Sequence, residues 1–147
     1  MSTFNNLIAG LGGAIALNIL HESLKRTHPS MPRIDLLGEE AVQKGLSRLG
    51  TSIDDEDNLY RATLGSDLVS NAMYYSLIGS GDPRHMWSKA LYMGASAGIG
   101  ALTLPAQMGL DDSPVTKTTR TKALTVGYYV FGALVTGGLL KLLNKNN

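Results

Sequence analysis

"LIAGLGGAIALNILHESLKR", residues 7–26, decides the fold class because it joins an apolar, glycine-containing helix to a polar end. In water, each glycine inside a helix costs about 1 kcal/mol relative to alanine. In a bilayer, small residues let helix backbones approach closely, so the same glycines favour packing. The stretch therefore predicts a membrane-spanning helix. We expect this helix to be retained rather than cleaved as a signal peptide, since no basic segment precedes its apolar run.

Three further apolar blocks follow, and each has about the 20 residues that a membrane-spanning helix needs. The predicted spans cover about residues 4–24, 61–80, 86–109 and 121–143. We therefore predict an all-α fold, an integral membrane four-helix bundle that forms a single domain over residues 1–147. A glycine-rich α/β protein is the alternative, but the sequence lacks the alternation of apolar and polar residues that strands require.

The long connector between the first two spans contains a proline-rich turn and a helix of a different kind. The two prolines of "HPSMPR" (residues 28–33) end the first helix, because proline cannot continue it. Residues 35–49 repeat apolar side chains at helical spacing, which predicts a short cytoplasmic amphipathic helix at the membrane interface, with Asp35 as its N-cap. Arg33 is a candidate contact for an anionic lipid headgroup or for a carboxylate on another segment.

Polar side chains form a stripe at the end of the first span and another within the second. The first stripe follows the i, i+3, i+4, i+7 spacing of one helix face: Asn18, His21, Glu22 and Lys25. The second has the same spacing: Asp67, Ser70, Asn71 and Tyr74. Because antiparallel spans bring these ends together, we expect a polar intramembrane cluster of Asn18, His21, Glu22, Asp67 and Asn71.

Three interpretations of this cluster remain open. It is a set of hydrogen bonds that fixes helix register, a pathway or pocket that exchanges protons or ions, or a metal or haem site. For the third, metal-ligand spacings such as HExxH are absent, and the neighbours His21 and Glu22 point about 100° apart on a helix. We therefore predict no metal site and no cofactor.

Small residues recur every four positions along the spans, which is typical of closely packed membrane helices. The clearest instance is the GxxxG motif at residues 94–98. The glycines expected at helix contacts are Gly13, Gly94, Gly98, Gly132 and Gly137. Because four spans alone cannot use every small face, we expect a homo-oligomer or association with other membrane subunits.

Composition and motifs exclude several classes of function. The formal net charge is +1, which gives no electrostatic basis for binding nucleic acid. The chain has no cysteine, so disulfides, thiol catalysis and cysteine-ligated metals are excluded. It also lacks P-loop, Rossmann, GxSxG and kinase motifs, and no nucleophile stands beside a base. We predict no catalytic residue and no enzymatic activity.

The distribution of basic residues predicts the orientation of the spans. One side of the predicted membrane carries Lys25, Arg26, Arg33, Lys44, Arg48, Arg61, Lys117, Arg120 and Lys122. The other side carries Arg84, Lys89, Lys141 and Lys145. Since cytoplasmic loops are enriched in lysine and arginine, we expect the long connector in the cytoplasm and both termini outside.

The order of these features resembles the YagU-like family of small bacterial inner-membrane proteins. The resemblance rests on the proline-arginine turn after the first span, and on "LTLPAQMGLDDSP" (102–114) followed by "GYYVFGALVTG" (127–137). It covers about half the chain, and the long acidic connector departs from it. The resemblance implies a multi-pass protein of the bacterial inner membrane, and it transfers no catalytic residue.

Two functions follow from the sequence. The first is a non-catalytic membrane protein, a homo-oligomer or accessory subunit whose glycine-rich faces bind other spans. The alternative is a transport protein that moves protons, ions or a small solute along the stripe of His21, Glu22 and Asp67.

Overall fold

The computed structural model describes residues 2–145, and every regular element within this range is helical. Four long helices form a bundle, and two shorter ones lie near one of its ends. The α-helices are α1 (Thr3–Leu24), α2 (Ile34–Arg48), α3 (Glu56–Ser76), α4 (Met86–Gln107), α5 (Ser113–Thr116) and α6 (Thr119–Lys145). Short 3-10 turns, Leu77–Gly79 and Pro83–His85, join α3 to α4. The all-α prediction is confirmed.

Helices α2 and α3 begin in different ways. The Asp55 carboxylate accepts a hydrogen bond of 2.9 Å from the N–H of Asn58, so it caps α3 through its side chain. Arg33 occupies the N-cap position of α2 without a side-chain capping bond, and the prediction that Asp35 is the N-cap is wrong. The first N–H of α2, that of Ile34, is bound instead by a side chain of α1. A contact between helices has replaced the local cap.

The four long helices run alternately up and down, with α1 and α6 at the centre. Helix α3 packs on α1, and α4 packs on α6. Helices α3 and α4 make little direct contact with each other. A gap therefore separates α3 from α4. Helix α2 lies across one end of this gap.

The contact between α4 and α6 depends on two glycines of α4. Gly94 and Gly98 are buried against the backbone of α6. A Cβ atom built on Gly94 would lie 2.7 Å from the Cα of Val130, and one built on Gly98 would lie 2.6 Å from the Cα of Val126. Any side chain at these positions would therefore force the helices apart.

The other glycines expected at helix contacts also lie between helices of this chain. A Cβ on Gly13 of α1 would strike Thr136 of α6, and one on Gly132 would lie 2.7 Å from the hydroxyl of Tyr75. Gly137 faces the ring of Trp87, 3.1 Å from such a Cβ. Contacts within one bundle thus use the five glycines that the sequence analysis assigned to helix packing.

Two helices are long and apolar enough to cross a membrane when residues 2–145 are searched, namely α1 and α6. Helices α3 and α4 do not meet the same criterion, since α3 carries several charged and amide side chains and α4 is rich in glycine and serine. The structure thus gives two possible membrane helices inside an all-α bundle, and the four-span arrangement stays a prediction.

Gly98→Ala tests the close packing of α4 on α6. The added methyl group meets the α6 backbone, and we expect it to lower the free energy of unfolding by about 1–3 kcal/mol. Gly127→Ala is the matched control, because nothing lies within 4 Å of a Cβ there and alanine favours a helix over glycine. The measurement is the melting temperature of each variant in one detergent. Equal destabilisation by both substitutions would contradict the close packing.

Candidate functional site

A cavity of about 570 Å³ fills the gap between α3 and α4. Its floor is formed by α1 and by Tyr129 of α6, and α2 covers one end. At its other end the Tyr74 hydroxyl donates to the Met93 carbonyl at 2.9 Å, which links α3 directly to α4. Nearby, the Tyr75 hydroxyl donates to the Tyr129 carbonyl at 2.8 Å. The cavity thus extends from α2 to the level at which Tyr74 links α3 to α4.

Both predicted polar stripes line this cavity. Its polar wall includes Asn18, His21, Glu22, Asp67, Ser70 and Asn71. The structure thus brings together all five residues of the predicted intramembrane cluster. They meet because α1 and α3 pack antiparallel, so that the last turns of α1 face the first half of α3.

The mouth of the cavity is held by the carboxylate of Asp35, whose side chain is only 7% exposed. Arg33 donates to it through two nitrogens, with Nε–Oδ1 at 2.9 Å and Nη2–Oδ2 at 2.7 Å. Lys25 Nζ lies 3.3 Å from the same Oδ2 and 2.9 Å from Glu22 Oε2. Arg33 thus pairs with a carboxylate two residues further along the chain and not, among residues 2–145, with one on another segment. This network joins the end of α1 to the start of α2.

Burial by itself raises the pKa of the Asp35 carboxyl, but its partners outweigh burial. Hydrogen bonds and positive charge from Arg33 hold the pKa of Asp35 well below its usual range. Asp35 in turn raises the pKa of the Arg33 guanidinium. The carboxylate therefore stays charged throughout the physiological pH range.

His21 connects this network to the cavity. Its side chain is 5% exposed, and its Nε2 accepts a hydrogen bond of 3.2 Å from the N–H of Ile34. An Nε2 that accepts leaves the proton of the neutral ring on Nδ1, which lies 3.5 Å from Glu22 Oε1. Asp35 Oδ1 is 3.5 Å from the same Nε2. The ring is thus set between the two carboxylates, with its neutral tautomer fixed by the first turn of α2.

Asp67 differs from the other two acids because no lysine or arginine pairs with it within the described residues. Asn18 and Asn71 lie beside its carboxylate, and His21 is within electrostatic reach. Two further polar atoms of the wall, Thr63 Oγ1 and Asn71 Nδ2, are buried without a hydrogen-bond partner in the described part of the chain. Such orphaned groups are rare in folded proteins and call for an explanation.

Helix α2 is tied to both sides of the cavity. Besides the Asp35 network, its Lys44 donates to the carbonyl of Gly109, and its Glu40 accepts from the N–H of Asp111 at 3.0 Å. These contacts fix α2 to the turn that follows α4. It therefore spans the cavity mouth between α1–α3 and α4.

Two residues of the site could not be identified from the sequence. The sequence predicts only a capping role for Asp35 and no role for Thr63. An unusual feature of Asp35, its place two residues after Arg33 in a proline-rich turn, is compatible with a local ion pair but does not show the contacts to α1.

Across residues 2–145 no group of three or more histidine, aspartate or glutamate side chains is arranged to hold a metal ion.

Comparison with known proteins leaves the site to be interpreted from its own geometry. No model of a protein family matches the chain, and no curated protein or solved structure matches it either.

Asp35→Asn tests whether this carboxylate holds α2 in place. Removing a buried charge that pairs with Arg33 and Lys25 leaves Arg33 without its carboxylate and Lys25 with Glu22 alone, and we expect a loss of about 3 kcal/mol in the free energy of unfolding. Because the folded-state pKa is depressed, the contribution is present above the unfolded pKa of about 3.9 and is lost as the pH falls through the lower folded value. The difference in melting temperature between the natural protein and Asp35→Asn should therefore persist from neutral pH down to a pH of about 4.

The matched control is Asp82→Asn. Asp82 pairs with Arg84, also two residues away and also at 2.7 Å, but this pair is solvent-exposed. We expect its removal to leave the melting temperature nearly unchanged. Equal effects of the two substitutions would contradict the assigned role of Asp35.

Proposed function

We propose that this chain is an integral membrane protein in which all four long helices cross the bilayer. Only 33% of the most apolar window of α1 and 44% of that of α6 are buried, so apolar side chains of both helices face outwards. Large exposed apolar side chains also lie on α3 and α4: Val69, Met73, Leu77, Leu91, Ile99 and Leu104. A belt of this kind on every long helix suits contact with lipid.

The orientation we propose places α2 in the cytoplasm and both termini outside, in the bacterial inner membrane that the YagU-like resemblance implies. A groove beside α2 supports this, since it is lined by the basic residues Lys25, Arg26, Arg33 and Lys117. Basic side chains at this level attract the anionic headgroups of the cytoplasmic leaflet. Arg33 remains a candidate lipid contact on the side that Asp35 leaves free.

Single cysteines test this topology, because the natural chain has none. Ser47→Cys lies on the exposed face of α2, and Ser88→Cys lies on the exposed first turn of α4 at the opposite end of the bundle. We expect a membrane-impermeant maleimide to label Ser88→Cys in intact cells and Ser47→Cys only after lysis. Labelling of both variants in intact cells would contradict the proposed topology.

For function, we propose transport: the cavity conducts protons and also admits a small solute. The observation that carries this proposal is that side chains of both polar stripes line one cavity, which runs from α2 to the level of the Tyr74–Met93 hydrogen bond. A polar-walled cavity with an unpaired carboxylate is typical of a site that exchanges protons or ions. The alternative of purely structural hydrogen bonds leaves Thr63 Oγ1 and Asn71 Nδ2 without partners among the described residues.

Proton flux in liposomes tests the transport proposal. With a pH-sensitive dye inside, we expect the natural protein to dissipate an imposed pH gradient faster than protein-free liposomes. Asp67→Asn should reduce the rate to that of the protein-free sample, since an amide cannot take up the proton. Asp57→Asn is the control, because this exposed acid lies in the first turn of the same helix. Unchanged flux in a correctly assembled Asp67→Asn variant would overturn the proposal.

A second candidate function is that of a homo-oligomer or accessory subunit. The glycines expected at helix contacts give it little support, because contacts within the bundle use them. Three other helical glycines favour it: Gly65, Gly127 and Gly138 have open space where a Cβ would be. Small residues that no neighbour uses permit another span to approach. The flux measurement separates the two candidates, since an accessory subunit alone predicts no flux.

A further inference from the structure

We propose that the cavity between α3 and α4 binds a small organic cation, a protonated amine carried by an apolar body. This assignment rests on the proposed function, because it names the class of solute for the same cavity. The evidence for it is the carboxylate of Asp67, the two polar atoms without hydrogen-bond partners and the apolar wall of the cavity.

The unpaired carboxylate of Asp67 determines the charge of the ligand. Asp35 and Glu22 already have cationic partners, with Lys25 shared between them. Asp67, also in the cavity wall, has the amide side chains of Asn18 and Asn71 beside it and the ring of His21 within electrostatic reach, but no lysine or arginine among the described residues. A charge in such surroundings is stabilised by a partner of opposite sign, and an ammonium group supplies one. An anionic ligand would instead meet Asp67 and Glu22 as like charges.

Two orphaned atoms determine the hydrogen bonds that the ligand must make. Thr63 is only 5% exposed, and its hydroxyl has no partner within residues 2–145 although it lines the cavity. Its oxygen can accept an N–H from an ammonium group. Asn71 Nδ2 is likewise unpartnered and can only donate, so an oxygen close to the amine of the ligand would satisfy it.

The rest of the cavity determines the size and polarity of the body. Its volume, about 570 Å³, is that of a site for a small organic molecule rather than for a bare ion. Leu17, Leu64 and Leu104 contribute apolar surface, and Tyr74 and Tyr129 contribute aromatic rings. Aromatic rings bind cations through their faces, so they are compatible with an ammonium group as well as with its apolar body.

Three rigid probes of matched shape test this assignment: 1-adamantylammonium, 1-adamantanol and 1-adamantanecarboxylate. Binding is measured by isothermal titration calorimetry on the full chain in nanodiscs of zwitterionic lipid, with empty nanodiscs as the blank. We expect the ammonium probe to bind at least about tenfold more tightly than the alcohol, and the carboxylate to bind more weakly than either. Asp67→Asn should remove the preference for the cation, and Asp57→Asn should keep it.

The comparison of the three probes on the natural chain decides the question even if a variant fails to assemble. Equal or tighter binding of the alcohol or the carboxylate overturns the cation assignment, as does the absence of binding by all three. The transport proposal is judged separately by proton flux. Flux without preference for the cation means that the solute class is wrong. Preference for the cation without flux means that the cavity binds its ligand but does not transport it.

Discussion

The direct approach of the α6 backbone to α1 and to α4 is the contact on which the rest of the bundle depends. Glycines at both interfaces make this approach possible, because any side chain there would meet backbone or a buried threonine. With α6 held between α1 and α4, α3 is left to pack on the outer side of α1. Helices α3 and α4 are thus kept apart, and the cavity results from how the other helices are packed.

Charged side chains then hold α2 over the open end of the cavity. The Asp35 carboxylate gathers Arg33, Lys25 and the ring of His21 at one point, where α1 ends and α2 begins. Helix α2 is held at its start by this network and further along by its contacts to the turn after α4. These contacts fix α2, which is amphipathic and only weakly apolar, over the mouth of the cavity.

Helical periodicity was sufficient to predict much of the fold and part of the site. The spacing of Asn18, His21 and Glu22 placed them on one face, and the matching row at Asp67 and Asn71 placed its members likewise. Both predictions depend only on residues a few positions apart, where the geometry of a helix is fixed. The glycines at helix contacts were recognised for the same reason.

What the sequence did not reveal depends on how distant segments meet. The role of Asp35 arises from the angle at which α2 leaves the proline-rich turn, and no local pattern encodes that angle. Periodicity also does not state which helix lies beside which, so the separation of α3 from α4 could not be foreseen. In the same way, a small helix face does not reveal whether the helix that packs on it belongs to the same chain.

The separation of α3 from α4 has a consequence for how the cavity is filled. In the proposed membrane setting, the gap between α3 and α4 faces the lipid. A molecule with an apolar body therefore reaches it from the lipid phase, where such molecules accumulate. Each buried methylene group contributes about 0.8 kcal/mol to that accumulation. The occupancy of the cavity then follows the concentration in the bilayer rather than that in water. A site of modest intrinsic affinity is thereby filled at low aqueous concentrations of its ligand.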